Sequence, residues 1–147
     1  MKRLLIASAA LAASAALATG PANAQKTYTM KIGMPTINDS NHFSAKWIKK
    51  EVEAKSKGRI KVNVFPAGQL GKIPRQIEGV LLGTQEGFLS PPGFFKGLNP
   101  AFAAPDAPGL FDSFAHLTRA INHPTVRDKF LGLATAKGVT GMYLAPG

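Results

Sequence analysis

Two periodicities run along this chain and change over at glycines and prolines. In "YTMKIGM", Tyr28, Met30, Ile32 and Met34 alternate with Thr29, Lys31 and Gly33. In "RIKVNVF", Ile60, Val62 and Val64 alternate with Arg59, Lys61 and Asn63. A repeat of two is that of a strand with one buried face, so both stretches read as strands. Between them the repeat lengthens to that of a helix, which Asp39, Ser40 or Asn41 can cap. Its body is expected to run to Lys57 and stop at Gly58, a residue suited to the left-handed C′ position. At roughly 100° per residue, Phe43, Trp47, Ile48 and Val52 share one half of this helix. Lys46, Lys49, Lys50, Glu53 and Lys57 share the other, so the apolar half is expected to pack on the sheet.

Beyond "FPAGQLGK", Pro74 fits a first helical turn, Ile77, Val80 and Leu81 form an inward stripe, and Gly83 ends the helix. "TQEGFLS" reads as a third, buried strand, with Gly87 its weakest position. Residues 90–109 then hold five prolines and three glycines, with Phe94, Phe95, Leu98 and Phe102 as candidate buried anchors. A segment of that length is either an ordered crossover or a ligand-contacting loop. Asp112 opens another helix through Phe114, Leu117 and Ile121. Pro124 opens the next, through Val126, Phe130, Leu131 and Ala134 to Gly138, and "VTGMYL" reads as a final strand. Strands alternating with helices imply an α/β fold: a mostly parallel sheet with helices on both faces.

The first residues stand outside this pattern. Met1-Lys2-Arg3 is a short basic start, residues 4–18 are an apolar run rich in alanine, and Pro21-Ala22-Asn23-Ala24 supplies a small-x-small cleavage pattern. This is a secretory signal peptide over residues 1–24; the run is short for a membrane span. Residues 25–147 are long enough for one domain with a real core. The chain has no cysteine, so an exported fold depends on packing rather than disulfides.

Removing Lys2 and Arg3 leaves 16 basic against 8 acidic residues, a formal charge of +8. Such a surplus favours nucleic acid, anionic membrane or small acidic ligands. Export speaks against nucleic acid, and the basic residues are dispersed without the interleaved aromatics that base stacking requires. A solvated basic surface or a small anionic ligand remains.

Catalysis has little support. The chain lacks a Cys nucleophile, a G-x-S-x-G elbow, an H-E-x-x-H helix, a P-loop and a G-x-G-x-x-G turn. His42, His116 and His123 are scattered and read as caps or surface residues. Asp39 and Glu86 are not placed together by their spacing. No enzyme, cofactor or metal site is expected.

Binding fares better. In a parallel sheet, the junctions at 35–41, 66–72 and 90–93 open on the same edge, where ligands of open α/β sheets sit. Helix starts after the first two direct backbone N–H groups and the positive dipole end toward that edge, which favours a carboxylate. Thr36, Asn38, Gln69 and Ser90 can supply side-chain hydrogen bonds there, although each also suits ordinary turn chemistry.

"KIGMPTINDSNHFSAKWIKKEVEAKSKGRIKVNVFPAGQLG", "GTQEGFLSPPGF" and "FAAPDAPGLFDSFAH" together resemble the solute-binding proteins of tripartite ATP-independent periplasmic (TRAP) transporters, the DctP family or extracellular solute-binding family 7. The resemblance spans residues 31–144, and "GRIKVNVFPAGQLG" is its most specific part. It implies a class II periplasmic-binding-protein-like fold of two domains. Such a protein closes on a small organic acid anion, such as a dicarboxylate, and delivers it to TRAP membrane subunits, the binding protein itself being a monomer. It implies that residues 25–147 are an N-terminal solute-binding domain, truncated at the crossover to a second domain, and that the family's carboxylate-pairing arginine falls beyond Gly147. By family position, Thr36, Asn38, Ser90 and Pro91 face the cleft and Gln69 lies near its rim. The alternative is a small basic periplasmic interaction protein without a transport role, using an exposed apolar edge to contact another chain.

Overall fold

A computed structural model describes residues 26–142 and 144. The signal segment 1–24 lies outside the described residues. Three parallel strands, β1 (Tyr28–Gly33), β2 (Ile60–Phe65) and β3 (Gly87–Phe88), form one sheet in the order β2-β1-β3. Tyr28 pairs with Ile60 and Gly33 with Phe65, while Ile32 pairs with Gly87. Helix α1 (Ser40–Lys55) follows β1 and α2 (Ile73–Leu81) follows β2.

Helices α1 and α2 lie against opposite faces of the sheet, with β1 as its central strand. On one face Ile32, Met34 and Val62 pack with Ala45 of α1 in a fully buried cluster, flanked by Met30, Ile48, Val52, Ile60, Val64 and Leu89. Burying an aliphatic side chain of this size contributes about 1.5–3 kcal/mol, so this cluster holds α1 to the sheet. On the other face lies Gly33, which the alternation had marked as a polar-side position but which is buried. A Cβ at Gly33 would stand 2.0 Å from Gln76 Oε1 of α2. Only glycine leaves room for that buried amide.

The sequence reading of α1 needs a rotation. Phe43 and Trp47, expected to pack inward, are 66% and 61% exposed, and His42 and Ala45 are the buried residues of the helix. A bulky aromatic at position 45 would hold the helix axis away from the strands; alanine lets it approach. The helix also stops at Lys55 rather than Lys57, and Lys57 (φ 52°) and Gly58 (φ 76°) both take left-handed conformations in the turn. In α2, Gln76 is buried where Leu81, 42% exposed, was expected to point inward.

Two further expectations change. The third strand shrinks to Gly87–Phe88, because the residues before it are held by side chains instead of a ladder. Gln85 is buried and Thr84 Oγ1 donates to Gly79 O at 3.2 Å. Residues 139–142 form no strand, and the rest of "VTGMYL" includes Tyr143, outside the described residues. Gly141 lies against the Leu131 backbone, where a Cβ would come within 2.5 Å of the carbonyl oxygen.

The proline-rich segment carries two 3-10 turns, Pro92–Phe95 and Pro100–Asp106. Its phenylalanines form a file: Phe88 meets Phe95 edge-on at 5.6 Å between centroids, Phe95 meets Phe102 at 5.7 Å, and Phe102 meets Phe130 at 5.3 Å. Of the expected anchors Phe102 is buried, whereas Phe94 is half exposed. The file ties the segment to α4 (Pro124–Leu131), which follows α3 (Phe114–Asn122) and continues into the 3-10 turn Gly132–Lys137 before Gly138 ends it at φ 77°. Ser113, not Asp112, caps α3.

Candidate functional site

All three strands end at the same edge, and their exit loops are stitched to one another. Met34 N donates to Phe65 O at 3.1 Å and Gly68 N to Met34 O at 2.9 Å. Ala67 N donates to Thr36 O at 3.0 Å, which joins the first exit loop to the second. Leu89 N donates to Gly33 O at 3.0 Å, which sets the third beside the first. Ala67 (φ 53°), Gly68 (φ 69°) and Gly71 (φ 114°) take left-handed conformations, so "FPAGQLG" turns back on itself at the lip of the sheet.

The first lip loop is a helix cap extended backwards. Asp39 caps α1, with Oδ1 accepting from His42 N at 3.0 Å, and the Thr36 hydroxyl donates to its Oδ2. These bonds, the Thr36 hydroxyl foremost, hold the Asp39 carboxyl below the usual carboxylate range. His42 reaches back from the third helical position, and its Nδ1 accepts from Asn38 N at 3.0 Å. The arrangement is a variant of the capping box, with histidine in place of Glu or Gln and with the N–H of Asn38, one residue before the cap, as the donor. His42 is therefore a buried member of the helix cap, the first of the two places, cap or surface, that the sequence offered for it. The signal for it was its distance of three from Asp39.

Thr36, Asn38 and Gln69 are exposed on adjacent loops, with Asn38 at φ 60°. Gln69 lines an open hollow of about 620 Å³ beside β2 together with His42, Lys46, Lys49, Phe65 and Pro66. Ser90 stands at the end of β3, and its Oγ is buried without a hydrogen-bond partner among the described residues. Pro91 is exposed and opens the 3-10 turn at φ −51°, ψ 142°. Thr36 and Gln69 thus share one part of the lip, and Ser90 and Pro91 sit at the neighbouring strand end.

Sequence reasoning missed the charges around the lip. Neither α1 nor α2 carries an acidic residue in its first turn, and α2 begins with exposed Lys72 as N-cap and Arg75 one turn in. Cations at a helix N-terminus oppose its dipole, so this end of α2 holds positive potential that an anion would offset. Among the described residues no group of three His, Cys, Asp or Glu is placed to hold a metal, and no helix is long and apolar enough to cross a membrane.

A parallel sheet with both faces covered and its exit loops gathered at one edge is an open α/β arrangement of the kind that receives ligands at that edge. The family model of bacterial extracellular solute-binding protein, family 7 (DctP), matches residues 34–145, and the chain belongs to that family. The 2,3-diketo-L-gulonate-binding periplasmic protein YiaO of Escherichia coli is 32% identical over 113 residues, 76% of this chain and 34% of its own length. Among solved structures, a TRAP periplasmic solute-binding protein of Polaromonas bound to D-erythronate superposes with a TM-score of 0.70 at 29% identity, over 77% of this chain and 37% of that one. One from Desulfovibrio salexigens with bound orotic acid gives 0.69 at 26% identity, over 76% and 36%. The chain spans about a third of the length of the curated relatives it matches. YiaO and the two solved structures are described as solute-binding proteins.

Proposed function

We propose that this chain, exported through residues 1–24, supplies one wall of the periplasmic solute-binding component of a TRAP-type transporter. Residues 25–147 form the N-terminal solute-binding domain, and the captured solute is a small organic acid anion. Thr36, Asn38, Gln69, Ser90 and Pro91 line the lip, working as a monomer that hands its cargo to TRAP membrane subunits. The observation that carries this reading is the joining of three strand-end loops at one sheet edge, through Ala67 N to Thr36 O and Leu89 N to Gly33 O. Lys72 and Arg75 at the start of α2 add the charge an acid would meet. The solutes named for the relatives, a diketogulonate, D-erythronate and orotic acid, are all organic acids.

Isothermal titration of residues 25–147 against mono- and dicarboxylates, alone and fused to the remaining two-thirds of a family relative, tests the reading. Weak binding by the chain alone and firm binding by the fusion are expected. A folded fusion that binds no organic acid would overturn it.

A second reading, a small basic periplasmic interaction protein, is favoured by the exposure of Phe43 and Trp47 one helical turn apart on α1. Light scattering distinguishes it: concentration-dependent association that Trp47→Ala abolishes would support this reading, and a monomer at high concentration would remove it.

A further inference from the structure

We propose that His42 is a positioning residue for ligand capture, whose neutral ring holds the Asn38 amide of the lip and whose protonation releases it. The role rests on the capture reading above; the bond that performs it does not. A backbone N–H can only donate, so the Asn38 N to His42 Nδ1 bond at 3.0 Å requires a lone pair on Nδ1. The ring is then neutral with its proton on Nε2. A proton on Nδ1 turns the acceptor into a donor and sets two N–H groups against each other. Histidine is the side chain whose ordinary titration falls near neutral pH.

Thr36 is tied through its carbonyl to Ala67 N and through its hydroxyl to Asp39, but the Asn38 amide is held by His42. Asn38 sits at φ 60°, a left-handed conformation that asparagine tolerates but does not strongly prefer. Asp39 is already engaged by Thr36 and the His42 amide. Of the charged groups, Asp39 interacts directly with His42, and Lys46 and Lys49 of α1 line the same open hollow, to which β2 and its exit loop contribute the uncharged Asn63 and Gln69.

The chain contains its own comparison. At the start of α3, Ser113 Oγ accepts from His116 N at 3.1 Å, and His116 Nδ1 accepts from Asp112 N at 3.4 Å, in the same spacing. There the preceding residue is an aspartate, with Asp112 Oδ2 3.3 Å from the same Nδ1. Protonated His116 can donate to that carboxylate and keep the helix start tied. At His42 the corresponding residue is Asn38, which carries no charge. One cap places a carboxylate where a ring N–H can donate and the other places an uncharged residue there.

NMR of the chain as it stands tests this by following the His42 ring nitrogens and the Asn38 amide between about pH 5 and 8. The protection of the Asn38 amide, its exchange rate taken relative to the intrinsic rate at the same pH, should fall roughly fivefold or more as the ring gains its proton, since one hydrogen bond is lost. In His42→Asn, whose Oδ1 can accept the same N–H, protection should persist and become independent of pH over that range. In His42→Phe it should be low throughout. Should His42→Phe not fold, the wild-type course and His42→Asn still decide. An Asn38 amide unchanged while the ring protonates, a ring that stays neutral across the range, or full protection in His42→Phe would each overturn the proposal. Carboxylate titrations on the same samples should show affinity falling about fivefold with the same midpoint. Loss of Asn38 protection with no carboxylate response at any pH would keep the latch and overturn the capture reading instead.

Discussion

Glu53 of α1 accepts the backbone N–H of Val62 at 2.9 Å, so a helix side chain closes the free edge of the sheet. Its partner Lys49, 2.9 Å away, donates to the carbonyl of the same residue. One turn further on, Ser56 Oγ accepts from Ile60 N at 3.1 Å. The stripe Lys49, Glu53, Ser56 thus runs beside β2 as a neighbouring strand would, meeting the outward groups that would otherwise invite a second chain. The pair, which the helical period places on the polar half of α1, bonds the backbone of the edge strand.

Removing this stripe should loosen the edge. Glu53→Ala is expected to lower the unfolding midpoint and to raise self-association, read by thermal melts and light scattering. The Val62 amide and Lys49 hold the Glu53 carboxyl below its ordinary range. A carboxyl depressed in the folded state stabilises above its unfolded pKa, and that contribution fades as pH falls through the folded value. Wild type and Glu53→Gln should therefore converge in stability under acid and separate toward neutral pH.

The Asp39 cap follows the same sign. Asp39→Ala should cost about 0.5–2 kcal/mol at neutral pH, as loss of an N-cap does. The difference should shrink on acidification below the ordinary carboxylate range, because Thr36 and the His42 amide favour the ionised form. Urea unfolding at several pH values checks this.

Gly33 tests the polar side of the sheet. In Gly33→Ala the new methyl would meet Gln76 Oε1 at 2.0 Å and Gln85 Nε2 at 2.8 Å. Gln76 is fully buried and its Nε2 donates to Gly71 O at 2.8 Å, so it has little freedom to retreat. A loss of about 1–3 kcal/mol is expected from this overpacking, and the lip turn at Gly71 should become more mobile with it.

The rotation of α1 is open to a paired substitution. Ile32→Ala, at 1% exposure, should cost about 2–5 kcal/mol. Trp47→Ala, at 61% exposure, should stay within about 0.5 kcal/mol of wild type. Equal losses at both positions would mean that the aromatic face packs against something after all.

Much of this was legible in the residues. Asp39, Pro74 and Gly138 mark boundaries through local chemistry that tertiary packing does not override, and the alternation around Val62 fixes its strand. Hydrophobicity alone could not orient α1, because it ranks Phe43 and Trp47 above Ala45, while close approach to a sheet rewards the smallest side chain. Nor could it find Gln76 and Gln85, polar residues buried because they bond each other, Gly71 O and Gly87 O. For the site, the shared edge of the three loops follows from strand order. The roles of His42, Lys49 and Glu53 follow only from which backbone groups they reach.

The central claim is that loops from three strands form one anion-receiving lip. Titrating the isotopically labelled chain with D-erythronate and with a dicarboxylate, and following every amide by NMR, addresses it most directly. Thr36, Asn38, Gln69 and Ser90 should shift together and yield one millimolar or weaker dissociation constant. Shifts confined to the opposite end of the sheet, around Tyr28 and Ile60, or none at any of these four amides, would contradict it.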